Sequence, residues 1–234
     1  MLAKEKKEGV ISSAQKLIAK SNPKSPVVEQ YKTIRTNIQF ASIDRELHSI
    51  MVTSTGPGEG KSTTAGNLAV VFAQQGKKVL LVDTDLRKPT VHKTFGIPNT
   101  EGLSNVLTKR IDLAEAIIAT DEANLFILPS GPIPPNPAEL LMSKAMRSFQ
   151  NQIQQLFELV IFDTPPLLAV TDAQVMAHQC DGTILVVSSE NTKKEQAEKA
   201  VELLKIANAN VLGVVLNNAK VSKNHNHYYY YDYK

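Results

Sequence analysis

Short apolar stretches alternate with amphipathic segments through most of the chain. The apolar stretches are bounded by polar or turn-forming residues, as buried strands are, whereas the segments between them carry apolar residues at helical spacing. Strands that alternate with helices in this way are typical of a parallel sheet with helices packed on both faces. The pattern therefore predicts an α/β fold with a mostly parallel sheet. Its strands are predicted at residues 48–54, 78–82, 125–128, 159–162, 183–187 and 211–216.

Capping signals place the helices between these strands. Ser25 and Pro26 open a helix ahead of the first strand, and Thr192 and Glu195 form a capping box for the last helix. The apolar face of the first of these helices is predicted to consist of Val27, Tyr31, Ile34 and Ile38. The other helices are predicted at residues 12–20, 62–75, 136–157 and 171–180.

Changes in composition divide the chain into three parts. Residues 1–24 are rich in Lys, Ser and Glu and are predicted to form a flexible arm. Residues 25–220 carry the alternating pattern and are predicted to form one domain. Residues 221–234 are polar and rich in tyrosine, and from Ser222 onward they include no aliphatic side chain. Because such a segment cannot bury a core, it is predicted to be a disordered tail.

Composition excludes several classes of protein. The chain has 234 residues and a net charge of +3, which is too small an excess to indicate nucleic-acid binding. Its single cysteine, Cys180, rules out a disulfide scaffold and fits a reducing compartment. No stretch approaches the roughly 18 apolar residues of a membrane helix, and the start lacks the apolar core of a signal peptide. We therefore expect a cytoplasmic protein that reaches a membrane only through a partner.

A phosphate-binding loop lies at residues 55–62, between a predicted strand and a predicted helix. Gly58 and Gly60 allow backbone N–H groups to point at phosphate oxygens, and the start of the helix adds its positive dipole end. Lys61 is suited to contact the β- and γ-phosphates, and the Ser62 hydroxyl is suited to bind Mg²⁺. The motif normally begins with Gly, but this chain has Thr55 at that position.

Three aspartates follow two of the predicted strands. Asp83 and Asp85 come after one strand, and Asp163 comes after another. Ligands bind at the carboxyl ends of strands in an open parallel sheet, which is also where the phosphate loop lies. The three carboxylates are therefore expected to converge near Lys61, where they would hold Mg²⁺ and accept a proton from the attacking group.

These motifs together resemble those of the bacterial tyrosine kinases, the cytoplasmic kinases of capsule and exopolysaccharide export. The family carries Asp-x-Asp-x-Arg after a strand, matched by residues 83–87, and Asp-x-Pro-Pro after a later strand, matched by residues 163–166. Residues 131–137 are also similar to a family loop. The resemblance implies a P-loop NTPase-like fold and the split Gram-positive type of kinase, in which a membrane adaptor is a separate polypeptide. The family's tyrosine cluster is matched by Tyr228, Tyr229, Tyr230, Tyr231 and Tyr233.

The resemblance also implies roles for individual residues, with ATP and Mg²⁺ as cofactors. Ser62, Asp85 and Asp163 would hold Mg²⁺. The catalytic group would comprise Lys61, Arg87 and Asp83, with Asp83 as the base for the tyrosine hydroxyl. The residues expected to bind the nucleotide are Gly58, Glu59, Gly60, Lys61, Ser62, Thr63 and, at the adenine, Asn217.

The implied partners follow from the same family. They are an activating membrane adaptor at the inner face of the membrane, a cognate tyrosine phosphatase, protein substrates and other copies of the chain, and they do not include nucleic acid. Glu29, Lys32 and Arg35 match the family's helix for subunit contacts in a ring, where the chain has Lys32 in place of Arg. Lys keeps the charge but loses the planar bidentate fork of Arg. The tail tyrosines are expected to be phosphorylated between subunits.

Two other functions are compatible with the same fold. One is a switch ATPase of the chromosome-partition or division-site type, which usually carries an extra lysine where this chain has Gly56. The other is an ATP-gated adaptor without catalysis. The missing lysine and the tyrosine tail argue against the first, and the complete set of aspartates argues against the second.

Overall fold

A computed structural model describes residues 17–41 and 46–220. A seven-stranded sheet lies at its centre, with the strand order β3-β4-β2-β5-β1-β6-β7. All neighbouring strands are parallel except β3 and β4, which are antiparallel. The strands are β1 (Ser49–Ser54), β2 (Val79–Asp83), β3 (Ile118–Ala119), β4 (Leu125–Leu128), β5 (Leu159–Asp163), β6 (Gly182–Ser188) and β7 (Val211–Asn217).

Helices cover both faces of the sheet, as the sequence pattern predicts. Strands β1, β2 and β5 are buried along their whole length, and successive side chains of each strand enter the two apolar cores in turn. The apolar runs in the sequence therefore come from burial on both faces. The helices are α1 (Ile18–Ser21), α2 (Pro26–Phe40), α3 (Lys61–Ala73), α4 (Val91–Phe95), α5 (Leu103–Leu107), α6 (Leu113–Ala116), α7 (Pro137–Met142), α8 (Lys144–Leu156), α9 (Asp172–Gln179) and α10 (Lys194–Ile206).

The structure corrects the prediction of one long helix at residues 136–157. The chain forms two helices there, because Ser143 takes an extended backbone conformation between α7 and α8. The Ser143 side chain accepts a hydrogen bond from the N–H of Met146 and thereby caps α8. Both helices present apolar residues at helical spacing, so the break left no trace in the periodicity.

Two finer predictions about helices are also wrong. Val27 is 45% exposed, and its neighbour Val28 is fully buried in its place. The predicted capping box of Thr192 and Glu195 does not form; instead the Gln196 side chain accepts a hydrogen bond from the N–H of Lys193 at 3.3 Å. The sequence pattern also did not predict the short elements α4, α5, α6 and β3, which are too short to show a period.

Strand β7 forms one edge of the sheet and is poorly covered. Val214 and Leu216 are 56% and 59% exposed, respectively. No described helix is long and apolar enough to cross a membrane. The prediction of a flexible arm at residues 1–24 is wrong for its described part, because α1 forms there and Leu17 and Ala19 are buried in the core. Residues 1–16, most of the helix predicted at residues 12–20, and the tail at 221–234 lie outside the described residues.

Candidate active site

The phosphate loop connects β1 to α3 at the carboxyl end of the sheet. Gly58 and Gly60 have φ angles of +78° and +95°, in the left-handed region where a side chain would cause strain. At Gly60 a Cβ would also lie 2.1 Å from the Asn217 side-chain nitrogen. That nitrogen donates a hydrogen bond to the carbonyl of Glu59 at 3.0 Å, so Asn217 holds the loop from the end of β7.

Thr55, the departure from the usual motif, is explained by its contacts with Glu59. Thr55 has a negative φ, and both its N–H and its hydroxyl donate to the Glu59 carboxylate. The N–H of Gly56 donates to the same carboxylate at 3.0 Å, and the Thr192 hydroxyl donates to it from the loop before α10. Glu59 is therefore turned into the protein, where it stabilises the shape of the phosphate loop.

Lys61 occupies the centre of the site. Its Nζ atom lies 3.1 Å from Asp85 Oδ2 and 3.3 Å from Asp163 Oδ1, and it donates to the Ser62 hydroxyl at 3.1 Å. Burial by itself lowers the pKa of Lys61, but the charges of Asp163 and Asp85 outweigh burial and raise the pKa above its ordinary value. The ammonium group is therefore charged and sits where two strand-end carboxylates meet.

The donor set around Lys61 fits a divalent cation. The Oδ2 atom of Asp163 is buried without a hydrogen-bond partner among the described residues, which leaves a carboxylate oxygen free to bind a ligand. Ser62 and Asp85 supply further oxygens beside it. The described residues contain no group of three or more His, Cys, Asp or Glu that could hold a metal ion on their own. Mg²⁺ suits this arrangement, because it is commonly held by one or two carboxylates together with phosphate oxygens and water.

Asp83 faces the loop that follows β2. It pairs in register with Asp163 across β2 and β5, and it is fully buried. Its two oxygens accept hydrogen bonds from the N–H groups of Asp85, Thr90 and Val91 at 3.0–3.2 Å. Burial and the nearby charge of Asp163 raise the pKa of Asp83 to about 8. The raised pKa favours the protonated form of Asp83 at neutral pH in the absence of ligands.

This raised pKa predicts how the stability of the nucleotide-free chain depends on pH. Between about pH 4 and pH 8 the folded chain keeps a proton on Asp83 that the unfolded chain has lost, since the ordinary pKa is 3.8. The free energy of unfolding should therefore fall as the pH rises through this window. Asp83→Asn should flatten the fall, as measured by thermal melting in EDTA at several pH values. If the stability of Asp83→Asn falls with pH as steeply as that of the wild type, Asp83 is not the cause of the pH dependence.

The side chain of Arg87 is paired with Asp172, the first residue of α9. Its Nε and Nη2 atoms donate to the two carboxylate oxygens of Asp172 at 2.9 and 3.0 Å. Arg87 and Asp85 still line a cleft of about 570 Å³ that opens beside the loop. The cleft also has an apolar wall, to which Pro165, Pro166, Ala169 and Val170 contribute.

The remaining predicted residues are Thr63, in the first turn of α3, and the three expected subunit-contact residues of α2. Thr63 lines the cleft one residue after Ser62. On α2, Lys32 pairs with Glu29 at 2.8 Å, and the Arg35 guanidinium donates to the carbonyl of Val71 at 2.7 Å. Of the three residues expected at a subunit contact, Glu29 and Lys32 therefore contact each other within α2, and Arg35 contacts α3. The tail tyrosines lie outside the described residues.

Three functional residues were missed by the sequence analysis. The hydroxyl of Thr90 donates to that of Ser62 at 2.8 Å, Thr192 binds Glu59, and Asp172 binds Arg87. A lone Thr in a loop carries no signal of this kind. Asp172 at the start of a predicted helix indicated nothing beyond capping.

Comparison with known proteins establishes the family. A family model described as an AAA domain matches residues 47–212. The tyrosine-protein kinase YwqD of Bacillus subtilis (strain 168) is 56% identical over 218 residues, which cover 93% of this chain and 92% of that protein. The chain belongs to the bacterial tyrosine-protein kinases of capsule synthesis. It is therefore an ATP-binding P-loop protein and a tyrosine-protein kinase, as the resemblance predicted, and neither a partition-type switch ATPase nor a non-catalytic adaptor.

Solved structures agree with this fold. The crystal structure of the chimerical protein CapA2B2 superposes on this kinase with a TM-score of 0.86 and 46% identity, over 88% of this chain and 91% of that one. The septum site-determining protein MinD of Pyrococcus horikoshii, solved with Mg-ADP, shares the fold with a TM-score of 0.62 and 26% identity, over 75% and 72% of the two chains. The predicted α/β, P-loop NTPase-like fold is confirmed.

Proposed function

We propose that this kinase transfers the γ-phosphoryl group of Mg·ATP to the tail tyrosines of a neighbouring copy, and that this transfer regulates capsular or exopolysaccharide synthesis and export. The observation that carries the proposal is the position of Lys61. Its ammonium group lies between Asp85 and Asp163, beside Ser62, at the floor of a cleft with an apolar wall. A phosphate site that adjoins an apolar wall suits transfer from a nucleotide to an aromatic acceptor.

The nucleotide would be held by the phosphate loop. The N–H groups of the loop at Gly58 and Gly60 and of the first turn of α3 at Ser62 and Thr63 would bind phosphate oxygens. Ser62, Asp85 and Asp163 would hold Mg²⁺, which when bound neutralises the charge on the transferring phosphoryl group. Lys61 would leave the two carboxylates and bind the β- and γ-phosphates. Asn217 is proposed to contact the adenine as well as to hold the loop.

The acceptor tyrosine would enter the cleft from the side of the apolar wall. Pro166, Ala169 and Val170 offer that wall to an aromatic ring, whose hydroxyl would then approach the phosphoryl group. Asp83 is proposed as the base. Because its raised pKa favours the protonated form in the nucleotide-free chain, Asp83 would have to lose that proton when Mg·ATP binds, and a cation held beside Asp163 would favour this loss. In the nucleotide-free chain three N–H groups hold this carboxylate, so the role requires those of Thr90 and Val91, at the end of the loop, to release it when substrates bind.

The position of Asn217, which precedes the tail in the chain, supports transfer between copies. The tail follows Asn217, which lies on the β6–β7 side of the phosphate loop, whereas Asp83 and Asp163 lie on the β5–β2 side. Strands β7 and β2 are four strand spacings apart in the sheet, which corresponds to about 19 Å. The eleven residues from Asn217 to Tyr228 extend to about 36–40 Å, but a path within one copy would cross the nucleotide. A neighbour's tail meets no such obstacle.

We expect copies of the chain to associate through exposed apolar side chains and to separate when their tails carry negative charge. The exposed apolar side chains of β7, with the adjacent helix α2, support a homo-oligomer, for which a ring is one form. Each transferred phosphate adds about −1.5 to −2 charges, which Asp83, Asp85 and Asp163 repel. Multiply phosphorylated tails should therefore leave the site, and the copies should separate. A membrane adaptor would hold the kinase at the inner face of the membrane, and a cognate phosphatase would reset the tail.

The experiment locates the label after incubation with γ-labelled ATP and Mg²⁺. Replacing the five tail tyrosines (228–231 and 233) with Phe should remove nearly all the label. Tyr31 is the only other tyrosine in the sequence and is buried on α2, so Tyr31→Phe is the matched control and should keep the wild-type label. Wild-type labelling of the five-Phe variant would overturn the proposal.

A further inference from the structure

Asp172 carries a carboxylate in a fully buried position. It is the first residue of α9, and none of its side chain is exposed. A buried charge is costly unless another charge and hydrogen bonds compensate it. The compensation comes from Arg87, whose guanidinium binds both carboxylate oxygens in the bidentate geometry that makes such pairs strong.

Arg87 belongs to the loop at residues 84–90, which shapes the proposed metal and base residues. Within this loop the N–H of Lys88 donates to Asp85 at 3.0 Å, and the N–H groups of Thr90 and Val91 donate to Asp83. Thr90 also contacts Ser62 through its hydroxyl at 2.8 Å. A displacement of the loop at Arg87 and Lys88 would therefore move Asp85.

The loop is tied to α9 by the pair of Arg87 and Asp172. Arg87 is 41% exposed on its side chain and lines the cleft, so without Asp172 its guanidinium would be free to turn into the cleft. With Asp172 in place, the guanidinium is fixed in the direction of α9. Asp172 thus acts at a distance from the reacting atoms, through the backbone that Arg87 anchors.

We infer that Asp172 is a positioning residue that holds the loop at residues 84–90, through Arg87, in the conformation that presents Asp85 to Mg²⁺. The inference rests on the role proposed above for Asp85. The competing role for the pair is a restraint, in which Asp172 holds Arg87 back from the phosphates and its loss would speed transfer.

The test uses Asp172→Asn in the full chain, which keeps the shape of the side chain and removes its charge. Binding of a fluorescent ADP is measured with Mg²⁺ and with EDTA, and hydrogen exchange is measured without nucleotide. Residues that orient metal ligands are worth about 10–100-fold in metal affinity, so the gain in affinity from Mg²⁺ should shrink about tenfold or more. The amides at residues 84–91 should exchange faster, whereas those of β1 and β6 should not change.

Controls separate positioning from a general loss of structure. Arg87→Gln should reproduce the effect, and combining it with Asp172→Asn should add little. Arg87→Lys keeps the positive charge but loses the planar guanidinium that binds both carboxylate oxygens, so it should give an intermediate effect. The same variant tests the pair if Asp172→Asn does not fold. Asp121→Asn, which breaks the exposed pair with Lys20, should behave like the wild type.

Two results would overturn the inference. One is faster phosphorylation by Asp172→Asn than by the wild type, which would make the pair a restraint on Arg87. The other is unchanged Mg²⁺ dependence together with unchanged exchange at residues 84–91. Neither the nucleotide titration nor the exchange measurement involves an acceptor tyrosine, so the second result can be recognised even if the proposed tail phosphorylation fails.

Discussion

Replacing Lys61 with Met should lower the rate of tyrosine phosphorylation by at least about 10²–10³-fold, as removal of one strong transition-state contact does in other enzymes. The ammonium group is the positive charge at the centre of the site, and charge on the phosphoryl oxygens must be stabilised during transfer. The rate is measured as label incorporated into tyrosine at saturating Mg·ATP.

The same substitution has a structural consequence that the site geometry makes specific. Without Lys61, Asp85 and Asp163 remain buried without their shared counter-ion, and losing one partner of a buried pair is strongly destabilising. Lys61→Met should therefore melt at a lower temperature than the wild type in the absence of nucleotide. Adding Asp163→Asn should recover part of that loss but none of the activity. Full activity in a folded Lys61→Met chain would refute the assignment of the site.

Asp163→Asn and Asp83→Asn should fail in different ways, although the two residues pair in register on neighbouring strands. If Asp163 binds Mg²⁺ through its unpartnered oxygen, its loss should weaken Mg·ATP binding as well as turnover. If Asp83 is the base, its loss should lower turnover by about 10²–10⁴-fold with little change in binding.

Nucleotide titrations at fixed Mg²⁺, combined with single-turnover rates, separate the two roles. Titrations repeated in EDTA provide the control, because the binding defect of Asp163→Asn should largely disappear without the metal. Equal binding defects in both variants would contradict this division of roles. That outcome would instead indicate that Asp83 serves mainly to shape the loop at residues 84–90.

The parts of the fold that the sequence predicted are those encoded by local signals. A strand buried on both faces produces an unbroken apolar run, and β1, β2 and β5 were found from such runs. The phosphate loop was found because Gly58, Gly60 and Lys61 act within a few residues of each other. Asp85 and Asp163 were placed beside it because strand ends of a parallel sheet share one edge.

The parts that escaped prediction depend on contacts between distant residues. Arg87 and Asp172 are 85 positions apart, and Glu59 and Thr192 are 133 apart. Arg87 was assigned to catalysis by resemblance, yet its guanidinium faces α9. Glu59 was assigned to the nucleotide, yet its carboxylate binds the loop itself. In both cases the contacts of the side chain depend on a partner that no local pattern identifies.

The central claim, that one copy phosphorylates the tail of another, is tested most directly by mixing two chains. One is Lys61→Met with its tail intact, and the other is an active chain truncated after Val221. Tyrosine label is expected on the Lys61→Met chain, at a rate that rises with the concentration of the active chain. The claim is contradicted if the Lys61→Met chain stays unlabelled while the intact wild type labels itself at a rate independent of its concentration.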